Sequence, residues 1–177
     1  MTIERVEPAL TGSDERRTLG DWLDYHRATL LRKIDGLTDA EARARSVPPS
    51  TLSLLGLVRH MADNEVWWFQ AVLAGVDVPD GAYPSSAEPG GAVPDDPDAD
   101  LNPPPTATVA ATVPLFGAAC ARSRDIVAGL DSLDAVGDLR GEPVSARWVV
   151  THMLEEYARH NGHADLLRQA IDGVTGE

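Results

Sequence analysis

Residues 151–167, THMLEEYARHNGHADLL, hold three of the chain's five histidines and two adjacent glutamates inside one helical repeat. An α-helix turns by about 100° per residue. With His152 at zero, Glu156 falls at about 40°, His160 at about 80° and His163 at about 20°. Four titratable or metal-capable side chains therefore share one narrow stripe, bordered by Val149, Met153, Tyr157 and Leu167. Burying a carboxylate and imidazoles without partners is costly. A divalent cation relieves that cost by pairing the charge and accepting the lone pairs. Glu156 and His160 stand at i and i+4 and reach the same point in space, a spacing by which one helix supplies two metal ligands. Glu155 faces away from the stripe and Arg159 belongs to the surface. A third ligand has to come from another helix, and His26 and His60 are the candidates.

The helix that carries the stripe is bounded by a capping Ser145 and a closing Gly173. Outward from it, apolar spacing of three and four marks three more long helices. In the first, Leu19, Trp22, Leu23, His26, Leu30 and Ile34 line one face, with Ser13 as the N-cap and Gly36 as the stop. Thr38 and Glu41 have capping-box spacing for a short helix, and Pro48 and Pro49 separate it from the second long helix. Ser53 opens that helix, LLGLVRHMADNEVWWFQAVLAG, which ends near Gly75. The third runs from about Thr108 to Leu130, with Pro114 in its first turns or kinking it. Residues 131–144 read as an irregular link. No strand-like alternation persists, and no repeat is visible. The expected architecture is one all-α domain over residues 1–177, a four-helix bundle with a few short helical turns.

Residues 77–105 break the pattern. DVPDGAYPSSAEPGGAVPDDPDADLNPPP is an acidic, Pro/Gly-rich loop with almost no apolar periodicity, expected as a long crossover between the second and third long helices. A lid over the site and plain disorder are both compatible with that composition.

Composition excludes several classes of function. The chain has 15 basic and 28 acidic residues, a net charge of −13, opposite in sign to what a phosphate backbone or an anionic membrane attracts. No apolar run approaches the roughly 20 residues that cross a bilayer, and the first residues lack a signal-peptide core. A single cysteine, Cys120, forms no internal disulfide, which fits a cytoplasmic location. Nothing basic lies beside it, so it is expected in the core rather than as an activated thiolate. Trp67 and Trp68 are expected to pack, with the lining of a substrate pocket as the alternative.

The order of these features resembles the DinB/YfiT-like superfamily of four-helix-bundle metalloproteins. SLLGLVRHMADNE is similar to that family's second-helix segment and supplies His60. EYARHNGH is similar to its fourth-helix segment, with Glu156 and His160 as the pair and NGH where an Arg-Gly-Gln-like tripeptide is usual. VPPSTLSLLGLVRHMAD and HMLEEYARHNGHADLLRQAIDG extend the likeness over nearly the whole chain. Many members use three histidines, whereas a His/Glu/His set resembles the mycothiol-dependent maleylpyruvate isomerase branch. The resemblance implies metal ligation by His60, Glu156 and His160, with zinc first and nickel or iron as other choices. It implies a low-molecular-weight, mycothiol-like thiol and an electrophile as partners, in S-transfer or isomerisation, and a possible homodimer. His163, at the place of the tripeptide's glutamine, is expected beside the metal or the substrate. His163 and His152 are the candidates for handling protons. Metal-dependent hydrolysis, a non-catalytic metal-binding or stress-response protein, and a bundle whose polar stripe makes only internal hydrogen bonds or a dimer are the competing expectations.

Overall fold

The structure, a computed structural model, describes residues 3–78, 82 and 100–175. Most of the loop expected over 77–105, and with it the choice between lid and disorder, lies outside the described residues. Among the described residues four long helical elements surround one core. Helix α1 spans Glu15–Ile34, and the one-turn α2 spans Asp39–Ala42. Helix α3 spans Leu54–Glu65 and continues directly as a π-helical segment, Val66–Leu73. Helix α4 spans Val109–Gly129, and α5 spans Ala146–Asp172. Helix α1 packs against α5 and α3 against α4, while α3 also meets α5 and α1.

Local side-chain chemistry sets most of these boundaries. The Ser53 hydroxyl accepts from the Gly56 N–H at 3.2 Å, and Ser145 accepts from Trp148 at the same distance. Thr108 does the same for Ala111, and Thr38 and Glu41 form the reciprocal capping box. Each satisfies an amide that the helix leaves without an internal partner. Helix α1 is capped by Asp14 instead of Ser13, its carboxylate accepting from the Arg17 N–H at 2.8 Å. A carboxylate also complements the positive end of the helix dipole. Pro114 sits within α4, and Gly173 closes α5 in the left-handed region at φ 79°.

The sequence reading needs three further corrections. Residues 131–144 are not wholly irregular: β1, Val136–Leu139, pairs antiparallel with β2, Glu142–Ser145. These strands are four residues long, half exposed and nowhere fully buried, so no buried alternation announces them. The second long helix is not uniformly α, since the Ala74 N–H reaches back five residues to the Phe69 carbonyl. Trp22, read on one face of α1 with Leu23, Leu30 and Ile34, is 39% exposed whereas those three are buried.

The core is formed by Leu23, Leu30 and Ile34 of α1, Leu54–Val58 and Met61 of α3, Phe69, Phe116 and Cys120, and Val149, Met153 and Tyr157 of α5. Running through it is a buried ionic network. The Arg27 guanidinium donates to both oxygens of Glu65, Nε at 2.8 Å and Nη2 at 2.7 Å, and the Tyr157 hydroxyl donates to Glu65 at 2.6 Å. Glu65 is fully buried and Arg27 nearly so. Burial alone would neutralise both. The charge and hydrogen bonds each receives from the other outweigh it, holding Glu65 below its ordinary range and Arg27 above its own. Beside them Cys120 is buried as expected, and burial pushes its thiol up to about 12.

Candidate metal centre

Two helices deliver the three residues singled out above to one place. On α3, His60 lies seven residues beyond the Ser53 cap. On α5, Glu156 and His160 are one turn apart, and both are more than nine-tenths buried. One ligand atom from each of His60, Glu156 and His160 lies within 4.8 Å of the other two. His160 Nε2 is 3.2 Å from Glu156 Oε2, and His60 Nε2 is 3.9 Å from the same oxygen. The two imidazole rings meet edge to face, with centroids 4.7 Å apart.

The surroundings prepare these groups as donors. Asp100 Oδ2 lies 2.5 Å from His60 Nδ1. A carboxylate only accepts, so Nδ1 carries the hydrogen and Nε2 turns its lone pair toward Glu156. Burial raises the Asp100 carboxyl, but the hydrogen bond and charge of His60 outweigh it and hold the group below its ordinary value. Burial, reinforced by the charges of His60, His163 and Arg159, pushes His160 down to about 4. Its imidazole is therefore neutral at physiological pH, the form that ligates. His163 Nδ1 lies 3.4 Å from His160 Nδ1, so with His160 Nε2 as donor atom, His160 Nδ1–H donates to His163. The Asn64 amide donates to His60 Nε2 at 2.9 Å. For His60 to ligate, that amide must turn away or present its oxygen.

Two of the described parts of the long connection fasten beside His60. The Ala82 N–H donates to Asp63 Oδ1 at 2.7 Å, and Asp100 reaches His60. Gly56, one turn before His60, lies so close to the Leu101 carbonyl that a Cβ there would collide with it. Asp100 was not legible as a site residue: it is one aspartate among many in a stretch without periodicity, 40 positions from its partner.

The remaining candidates fall elsewhere. His26 is not in the cluster; its carbonyl and Nδ1 face the Asn161 amide at 3.1 and 3.3 Å. His152 lies one turn before Glu156 and forms a second potential ligand group with Glu155 and Glu156. Glu155 there is exposed and paired with Arg159, so this group is the poorer cation site. His152 instead stacks on Trp148 at 4.9 Å and meets Trp68 at 4.7 Å. Two imidazoles and one carboxylate suit a divalent cation and leave part of its coordination sphere to other ligands.

These helices, with one histidine on α3 and a Glu-x-x-x-His pair on α5, are those of a DinB/YfiT-like protein. Within that class, residues 18–173 match the family model for mycothiol-S-transferase, and the chain belongs to that family. A crystal structure of a conserved protein from Enterococcus faecalis is similar in fold, with a TM-score of 0.62 and 18% identity, over 92% of this chain and 100% of that one. No curated protein sequence matches the chain. Among the described residues no helix is long and apolar enough to cross a membrane.

Proposed function

We propose that the protein is a divalent-metal-dependent S-transferase that joins a mycothiol-like thiol to an electrophile, with His60, Glu156 and His160 holding the ion. The observation that carries this reading is the convergence of three donor atoms within 4.8 Å, in a chain of the mycothiol-S-transferase family. Zinc is the first choice for a site of two imidazoles and a carboxylate, although such donors discriminate weakly among divalent metals. A cation of net charge near +1 there would favour the thiolate form of a bound thiol, the nucleophilic form.

The chain's own residues have defined parts. Asp100 keeps His60 in the Nδ1–H tautomer. The buried surroundings keep His160 neutral. Glu156 supplies the single negative charge of the set. In the transfer, sulfur forms a bond to the electrophilic carbon, the leaving group departs with its electron pair, and the thiol proton needs an acceptor. The proton passes to His152, one turn from Glu156, or to His163 once it releases the hydrogen bond it accepts from His160.

Elemental analysis of untagged protein, followed by thiol consumption with mycothiol, bacillithiol and glutathione against a panel of electrophiles, tests the reading. About one metal per chain with consumption of one thiol supports it. Metal well below one per chain removes it. Metal with ester or amide cleavage and no thiol loss would make the protein a hydrolase instead.

A further inference from the structure

Helix α3 with its π-helical continuation runs antiparallel to α5 in a simple register. His60 faces His160 with ring centroids 4.7 Å apart. Trp68, eight positions later on one element, faces His152, eight positions earlier on the other, also at 4.7 Å. Trp148 extends this second pair, stacked on His152 at 4.9 Å with 19° between planes and 5.4 Å from Trp68. The three rings make one aromatic shelf, its base the near-parallel Trp148 and His152 and its edge the steeply tilted Trp68. It adjoins the candidate centre: a ring nitrogen of His152 lies within 4.8 Å of a Glu156 carboxylate oxygen.

Two independent features separate this shelf from ordinary core packing. Trp148 is 48% exposed, whereas the core aromatics Phe69 and Tyr157 are fully buried. The backbone, moreover, is wound to present Trp68. An uninterrupted α-helix would carry Trp68 about 80° around from the His60 face. The π segment beginning at Val66 turns less per residue and brings Trp68 back toward that face. Such windings are concentrated at functional sites because the poorer helix has to be compensated.

From this geometry we infer that Trp68, His152 and Trp148 form the electrophile subsite, and that it selects planar, conjugated electrophiles. This inference rests on the S-transfer reading and adds the substrate class to it. A flat π system packs against the half-exposed Trp148 indole, which His152 and Trp68 back, without a specific hydrogen-bond pattern. Bound there, it places its reactive carbon beside the Glu156 end of the centre. A saturated electrophile of the same size gains no stacking and binds more weakly.

Indole N–H resonances in two-dimensional NMR provide a readout independent of turnover. The four tryptophans, Trp22, Trp67, Trp68 and Trp148, are assigned with single Trp→Phe variants. The probes are 1,3-dinitrobenzene, planar and without a leaving group, and nitrocyclohexane as the non-planar control. We expect the planar probe to shift Trp68 and Trp148 and to leave Trp22 and Trp67 in place. Trp148→Ala should weaken its binding by about 3–10-fold, the stacking share of an aromatic contact, while Trp148→Phe restores it to within about twofold. In turnover with mycothiol, Trp148→Ala should lower kcat/KM for 1-chloro-2,4-dinitrobenzene relative to iodoacetamide by a similar factor, through KM. Turnover with no selective indole shift, or unchanged probe affinity in Trp148→Ala, overturns the shelf and leaves the S-transfer reading standing. Selective shifts without consumption of any thiol refute the S-transfer reading and the electrophile role with it.

Discussion

Asp100 and His60, 40 positions apart in the chain, share a 2.5 Å hydrogen bond that turns the opposite ring nitrogen of His60 toward Glu156. A residue from the acidic connection thereby fixes the orientation of the one candidate ligand that α5 does not supply. Outer partners of this kind orient the ligand and raise its basicity, and so strengthen metal binding. Asp100→Ala is expected to weaken zinc binding by about 10–100-fold with little change in helical content. Competition against a chromophoric chelator measures it, and unchanged affinity would show that Asp100 does not act through His60.

Asn64 has the opposite influence. Its amide N–H occupies the His60 lone pair that a cation would use. Removing it deletes a competitor worth about one neutral hydrogen bond, on the order of 1 kcal/mol. Asn64→Ala should therefore tighten metal binding by up to about tenfold in the same competition assay. A loss of affinity instead would mean that the Asn64 oxygen itself assists the ion.

His160 makes one contribution to the pH dependence of the metal-free protein. Its ordinary value is 6.5 and burial depresses it to about 4 in the folded chain. Between those values the unfolded chain binds the extra proton, so the contribution of His160 is fully present above about pH 6.5 and is lost as pH falls toward 4. Urea unfolding of metal-free protein across pH 4–7 measures this, and His160→Gln should flatten the contribution. Bound zinc competes with the same proton, so metal loss is expected to accompany acidification.

Glu65 predicts a purely structural effect. Glu65→Ala removes the buried half of the Arg27 ion pairing, leaving only the half-exposed Asp24 at 2.8 Å, and takes the carboxylate acceptor from the Tyr157 hydroxyl. Breaking a buried ion pair from one side costs about 3–5 kcal/mol. Tyr157→Phe removes a single hydrogen bond to a charged group and should cost about 1.5–3 kcal/mol. Denaturant midpoints would establish both, and a Glu65→Ala midpoint close to wild type would show that the network contributes little.

The amino-acid sequence alone determined whatever depends on near neighbours along the chain. The caps at Ser53, Thr108 and Ser145, the Thr38–Glu41 box, the close at Gly173 and the single-face stripe of Glu156 and His160 are all interactions within about one helical turn. Covalent geometry dictates them once a helix forms. The family likeness of HMADNE and EYARHNGH added His60 to that stripe, where spacing had left it level with His26.

Tertiary structure decided the rest. Only packing could bring Asp100 to His60, join Arg27 to Glu65 and Tyr157, set Trp68 on His152 and rewind the helix after Glu65. Those partners lie 38 to 92 positions apart, and no periodicity relates them. Their meeting depends on which helix faces lie against each other, a property of the whole fold in which burial compels charged and polar groups to find one another.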